Sequence, residues 1–165
     1  MTHDSRPPFH IAVPVDSLEG AERFYSGLLG CRIGRRDARW IDFDFFGHQL
    51  TVHKVDRPGA APEEDGGGTR ATAQGLSARP ENVNEVDGDP IPASHFGVVL
   101  TWKAWRDLVE HFQREHVSFL LEPRLRFSGS LGQQHTFFLK DPAGNALEFK
   151  AFRDPDRLFS TEDTP

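Results

Sequence analysis

Two histidines and a glutamate, His10, His95 and Glu148, lie where they could share one metal ion. His10 falls in FHIAVPV and His95 in ASHFGVVLT, each just ahead of a helical pattern, and Glu148 falls in ALEFK near the end of the chain. In each stretch the polar residue alternates with apolar neighbours. Built as strands, these segments would turn the apolar set toward a helix and the three polar side chains toward the inner face of a sheet. A carboxylate on such a face is costly unless it is paired or bound to a metal. Two imidazoles and one carboxylate with open positions beside them form a facial triad, which suits non-haem Fe(II), with Mn(II) or Zn(II) as alternatives. His53, two residues beyond Thr51, is a candidate acid/base group or a fourth ligand. The bland reading of any one of these histidines is a hydrogen-bonded strand residue, and of Glu148 a surface carboxylate. Their repeat-related placement weighs against both.

The elements that must position these groups come in two similar sets. A strand at 9–15 is followed by a helix, for which Asp16 is a good N-cap, with Glu19 at capping-box spacing. Leu18, Ala21, Tyr25 and Leu28 make its buried stripe, and Gly30 is placed to end it. Strands follow at 31–36, 39–46 and 49–55, with a tight turn at Gly47-His48. The pattern then restarts. A strand at 93–101 precedes a helix at 102–115, which carries Trp105, Leu108, Val109 and Phe112 on one stripe. Strands at 117–121, 134–140 and 146–152 complete it, the last two joined by the turn DPAGN at 141–145. The chain is thus an internal duplication of a βαβββ unit. His10 precedes Thr51 by 41 residues and His95 precedes Glu148 by 53, so His, Thr, His and Glu hold equivalent places. The 12 extra residues fit a longer loop near 122–133.

The expected fold is α+β. Residues 9–56 form a first unit and residues 93–153 a second, together one domain with a curved, barrel-like mixed sheet around a metal cavity. Between them, 57–92 holds six Gly and five Pro in 36 residues and reads as a flexible linker. Within it, Glu63, Glu64 and Asp65 make a solvated charge run. His111, His116 and His135 read as surface residues, His3 lies in a polar start, and the tail from Asp154 reads as loose. Arg124, Arg126 and the loop 129–132 are candidates either for a lid or for an ordinary solvated loop.

Composition bounds the function. The chain has 165 residues, ordinary apolar and charged content, and a net charge of -6 without a basic patch, which argues against nucleic acid as a partner. No run approaches a membrane span. The first residues lack a signal-peptide pattern. Cys31 is a single cysteine, so no intrachain disulfide can form, and a reduced, cytoplasmic protein is expected. Fourteen Phe and three Trp suggest aromatic-walled cores with a surplus for a contact surface. Open sheet edges add to the case for a homodimer.

The duplicated βαβββ layout, the FHIAVPV start followed by ERFYSGLLG, and the DPAGNALEF end resemble the vicinal oxygen chelate superfamily. That superfamily holds glyoxalase I, extradiol ring-cleaving dioxygenases and the bleomycin- and fosfomycin-resistance proteins. The resemblance covers about 9–153, apart from the linker. It implies metal ligands in the first and last strands of each unit. Glyoxalase-like members use all four positions; extradiol-type members leave the last strand of the first unit without a ligand. That position holds Thr51, which favours the dioxygenase branch. The resemblance also implies a histidine acid/base near the cavity, for which His48 is the nearest candidate. It implies a tyrosine where this chain has Phe138. The function so implied is a metal-dependent extradiol-type dioxygenase acting on a small catechol-like substrate and O₂. A glyoxalase-type isomerase or lyase is the alternative, and a metal-free protein that binds a small aromatic ligand is the third reading.

Overall fold

The structure is a computed structural model and describes residues 7–56 and 83–160. The chain forms two compact units, Met1–Pro80 and Glu81–Pro165. Most of the expected linker, and Glu63, Glu64 and Asp65 with it, lies outside the described residues, as does His3.

In unit 1, strand β1 (His10–Val15) leads into helix α1 (Leu18–Glu22), which continues as a π-helical turn, π1 (Arg23–Leu28). Strands β2 (Arg32–Asp37), β3 (Trp40–Phe45) and β4 (His48–Lys54) follow. The sheet order is β1-β4-β3-β2, with β1 parallel to β4 and the other pairs antiparallel. The helix starts one residue later than expected. Ser17, not Asp16, is the cap: its hydroxyl accepts the Gly20 N–H at 3.2 Å and donates to Glu19 at 3.0 Å. The π-helical turn bonds Leu29 N–H to Phe24 O and adds a residue to the winding. It therefore buries Leu29, at 7% exposure, in place of the expected Leu28. The β3–β4 turn is Phe46-Gly47, both at positive φ (52° and 87°), as a two-residue hairpin turn that follows strand twist requires. His48 is therefore the first residue of β4 and not part of the turn.

Unit 2 begins with a hairpin, β5 (Val83–Val86) and β6 (Asp89–Pro92). Then come β7 (Phe96–Leu100), α2 (Trp102–Arg114), β8 (Leu121–Arg126), β9 (Gln134–Lys140), β10 (Ala146–Ala151) and a short 3-10 turn, Pro155–Phe159, in the tail read as loose. The main sheet runs β7-β10-β9-β8, with β7 parallel to β10. It repeats the order and pairing sense of unit 1. Thr101 caps α2 by accepting the Ala104 N–H, and Trp105 Nε1 donates to Phe149 O at 3.0 Å, which ties the helix to β10. Phe112 of the helix and Phe137 and Phe149 of the sheet are fully buried.

Each sheet is an open one of four strands, not a barrel-like wall. Four strands are too few to close on themselves; small closed barrels take about eight. The chain has the mixed α+β architecture expected, and within each unit the main sheet does not close on itself. Two further boundaries differ. The expected strand 93–101 begins only at Phe96, and the expected strand 117–121 is displaced to Leu121–Arg126. The last ten residues of the stretch read as linker form the β5–β6 hairpin, whose Asp87-Gly88 turn has both residues at positive φ. Among the described residues, no helix is long and apolar enough to cross a membrane.

Candidate functional site

Strand register shows how far the two units correspond. In unit 1, Ala12 lies opposite Thr51, and His10 is two residues upstream. In unit 2, Gly97 lies opposite Glu148, and His95 is two residues upstream. His10 therefore stands to Thr51 as His95 stands to Glu148. In both sheets the apolar faces are buried (Leu50 and Val52; Leu147 and Phe149), so Thr51 and Glu148 lie on the opposite face.

The polar face of unit 2 carries a built site. His95 sits just before β7. Its Nδ1–H donates to the Pro92 carbonyl at 2.6 Å, and Nε2 lies 3.2 Å from Glu148 Oε2. A carbonyl only accepts, so Nδ1 holds a proton and Nε2 is the atom turned to the carboxylate. Glu148 is 4% exposed. Its Oε1 accepts the Thr136 hydroxyl at 2.8 Å, and its Oε2 also meets Lys150 Nζ at 3.0 Å. Burial pushes the Glu148 carboxyl up, but the contacts from His95, Lys150 and Thr136 outweigh it and hold the group below the usual carboxylate range. The Glu148 hydrogen bond raises His95 against the opposing effect of burial, with the Pro92 carbonyl adding to the rise. Phe138 is 1% exposed and stands edge-on to the His95 ring at 5.2 Å. Gly97 is needed beside them, because a side-chain carbon there would collide with the Glu148 carbonyl oxygen. His95, Gly97, Val99, Glu148 and Lys150 line a cleft of about 240 Å³.

His95 and Glu148 are donor types that suit a divalent ion, but they are two, and among the described residues no group of three or more His, Cys, Asp or Glu is placed to hold one. A ligating histidine characteristically gives its second ring N–H to a carbonyl or carboxylate, which fixes its tautomer. Pro92 does this for His95, and Thr136 does the corresponding service for Glu148. His95 Nε2 and the Glu148 carboxylate are the groups that would hold such an ion.

The polar face of unit 1 is built differently. Thr51 is 6% exposed and its hydroxyl donates to Asp42 Oδ1 at 2.6 Å. Asp42 Oδ2 accepts from Arg35 Nε and Nη2 and from Gln49 Nε2, at 3.0–3.2 Å. Burial raises the Asp42 carboxyl, yet these donors outweigh it and leave it below its ordinary value. Both its oxygens are occupied, and the Thr51 hydroxyl is spent on it. Asp42 was not anticipated from sequence. Its alternation with Ile41 and Phe43, on the strand paired with Thr51, was the available signal.

His10 is exposed on the face opposite Val13 and Val15. His53 is exposed on the Thr51 face, in register with Trp40. His48 lies on the other face, with Leu50 and Val52, and its Nδ1 accepts the Phe9 N–H at 3.0 Å. His135, read as a surface residue, packs against Trp102 and Trp105 at 4.3 and 5.6 Å, and its buried Nδ1 has no hydrogen-bond partner. Arg124 and Arg126 are not lid residues. Arg124 Nη1 meets Asp89 Oδ1 at 2.7 Å, and Arg126, 2% exposed, donates to the Val86 carbonyl. Together they fasten the β5–β6 hairpin to β8.

Residues 8–149 match the model of the Glyoxalase/Bleomycin resistance protein/Dioxygenase superfamily, and the chain belongs to that family. Among solved structures it is similar to a glyoxalase/bleomycin resistance protein/dioxygenase from Alicyclobacillus acidocaldarius. The two are 29% identical with a TM-score of 0.68, over 96% of this chain and 100% of that one. Lactoylglutathione lyase from Agrobacterium tumefaciens (16%, TM-score 0.54, 97% and 100% covered) shares the fold. So does the fosfomycin resistance protein FosX from Listeria monocytogenes (14%, 0.56, 93% and 98%). No match was found among curated proteins.

Proposed function

We propose that the protein is a metal-dependent enzyme that binds a small chelating substrate, and that its reaction is an extradiol-type dioxygenation. The observation that carries this is the His95–Glu148 pair, whose donor atoms are turned to one point by Pro92 and Thr136. His10, expected from the sequence as the third ligand, holds in unit 1 the position that His95 holds in unit 2. The spent hydroxyl of Thr51 supports three ligands over four. When bound, the ion supplies Lewis acidity and, as Fe(II), one-electron exchange with O₂. The chain's own residues hold the ligand atoms in place, with Phe138 packed edge-on against the His95 ring. His53, on the Thr51 face, is the better candidate for proton transfer, because His48 is engaged by the Phe9 N–H.

Phe138 offers no hydroxyl to a bound diol, which favours a second reading, a glyoxalase-type isomerase or lyase. Protein purified without oxygen, analysed for metal and then given Fe(II) and a catechol panel, decides between them. Oxygen uptake with ring cleavage is the expected result. Metal binding with turnover but no oxygen uptake would establish the isomerase. A protein that takes up no divalent metal would belong instead with the metal-free binding members of the fold.

A further inference from the structure

The helix side of the unit 2 sheet holds a cluster that the proposed site does not use. His135, the second residue of β9, alternates with Thr136, which meets Glu148 on the other face. Its ring stands 4.3 Å from Trp102 and 5.6 Å from Trp105, and the two indoles stack on each other at 5.6 Å. The Arg153 guanidinium lies 4.2 Å over Trp102. His135 Nδ1 is buried and has no hydrogen-bond partner among the described residues. A neutral imidazole can carry its one proton on Nε2 and leave Nδ1 bare. An imidazolium has a proton on both nitrogens, so its Nδ1–H would be a charged donor buried without an acceptor.

The surroundings give that charge no relief. Ala151 of β10 and Leu125 of β8, in register with His135, bring no side-chain acceptor. On α2, Lys103 pairs with Asp107 and Arg106 is exposed. On β8, Arg124 and Arg126 hold the β5–β6 hairpin, and Lys150 of β10 meets Glu148 on the other face. Arg153, of the same sign, is the charge that bears on the ring, and with burial it favours the neutral form. The groups also sit at element ends. Trp102 opens α2, His135 is near the start of β9, and Arg153 lies two residues past β10. They can part locally, while Trp105 stays tied to the Phe149 carbonyl.

We propose that His135 is an acid-sensitive latch for the start of α2: once protonated, its ring leaves Trp102, and the first turn of the helix opens to water while the rest of unit 2 stays folded. The latch does not depend on the metal reading.

The test uses full-length protein carrying Trp40→Phe, which leaves Trp102 and Trp105 as its two indoles. Tryptophan emission and acrylamide quenching are followed from about pH 8 to pH 5, across the ordinary histidine range, with far-ultraviolet circular dichroism in parallel. A red shift and stronger quenching below pH 6.5 are expected, with the circular dichroism nearly unchanged. His135→Phe in the same background should remove the transition, and His135→Gln serves if that variant fails to fold. Arg153→Met should move the midpoint upward by removing the like charge. A flat profile, or a transition that survives loss of His135, would overturn the latch. So would a loss of intensity without red shift, which would mean protonation in place, or a collapse of the circular dichroism at the same pH, which would mean global unfolding.

Discussion

Glu148 is held by three neighbours of different chemistry: a hydroxyl, an imidazole and an ammonium. Replacing it with Gln removes the charge but keeps the shape, so Glu148→Gln is expected to abolish divalent metal uptake while the fold persists. Metal analysis beside circular dichroism checks both. Gly97 answers a different need, the close approach of β7 to β10. Gly97→Ala has to push the strands apart at the Glu148 carbonyl. A loss of about 3 kcal/mol in denaturant unfolding is expected, at the upper end of the usual cost of overpacking, together with weakened metal uptake. Unchanged stability would mean that the strands do not approach as described. The Cys31 thiol is buried and pushed up to about 12, chiefly by burial with Asp44 adding to the rise, which makes it a poor nucleophile.

Among the elements, the β5–β6 hairpin links stability to the site. Asp89 accepts from Arg124 at 2.7 Å and stands 4.0 Å from the nearly buried Arg126 guanidinium, and Phe127 N–H donates to Asp87. The hairpin ends at Pro92, whose carbonyl orients His95. Asp89→Ala leaves the Arg126 guanidinium without its carboxylate, a change that costs about 3 kcal/mol for a buried pair. It is expected to lower the melting temperature and to weaken metal binding, although Asp89 touches no proposed ligand. Metal affinity equal to wild type would show that the Pro92 carbonyl holds His95 without help from the hairpin's anchor. At the other side of the sheet, α2 packs Trp102 and Trp105 against His135, with the Arg153 guanidinium 4.2 Å over Trp102. Burial and, secondarily, Arg153 lower the His135 pKa from its ordinary value of 6.5. The unfolded chain therefore binds a proton more readily than the folded one. Stability from this residue is complete above about pH 6.5 and is lost as pH falls toward the lowered folded value. His135→Phe, which keeps the aromatic packing, should flatten the fall in melting temperature between neutral and mildly acid pH.

For the whole molecule, association is the expected next level. The aromatic residues fill two small cores, with Tyr25 and Phe43 in unit 1 and Phe112, Phe137 and Phe149 in unit 2 all at most 1% exposed. Phe9 remains 63% exposed beside the edge strand β1, where Pro14 removes one backbone donor but does not cover the edge. A homodimer is expected at micromolar concentration, and a monomeric mass by light scattering would reject it.

Much of this was legible in the sequence because it is written in local periodicity. Alternation marked β9 with its observed limits, helical spacing marked α2 to within one residue, and DPAGN marked its turn. There the Asp141 carboxylate accepts the Ala143 and Asn145 N–H groups. The equivalence of His10 with His95 and of Thr51 with Glu148 followed from repeat spacing alone and agrees with the register in each sheet. The β5–β6 hairpin was also legible through Asp87-Gly88, a strong hairpin signal, but glycine and proline density concealed it. Tertiary structure alone decided the rest, since it depends on atoms far apart in sequence. The Ser17 cap and the π-helical turn are choices among near-equal local options, settled by which side chains the sheet buries. That Asp42 would take up the Thr51 hydroxyl, that Pro92 would set the tautomer of His95, and that Lys150 would share an oxygen of Glu148 all turn on side-chain reach across strands. Periodicity names the face on which a residue lies. The donor or acceptor it meets there is selected only when the neighbouring strands arrive.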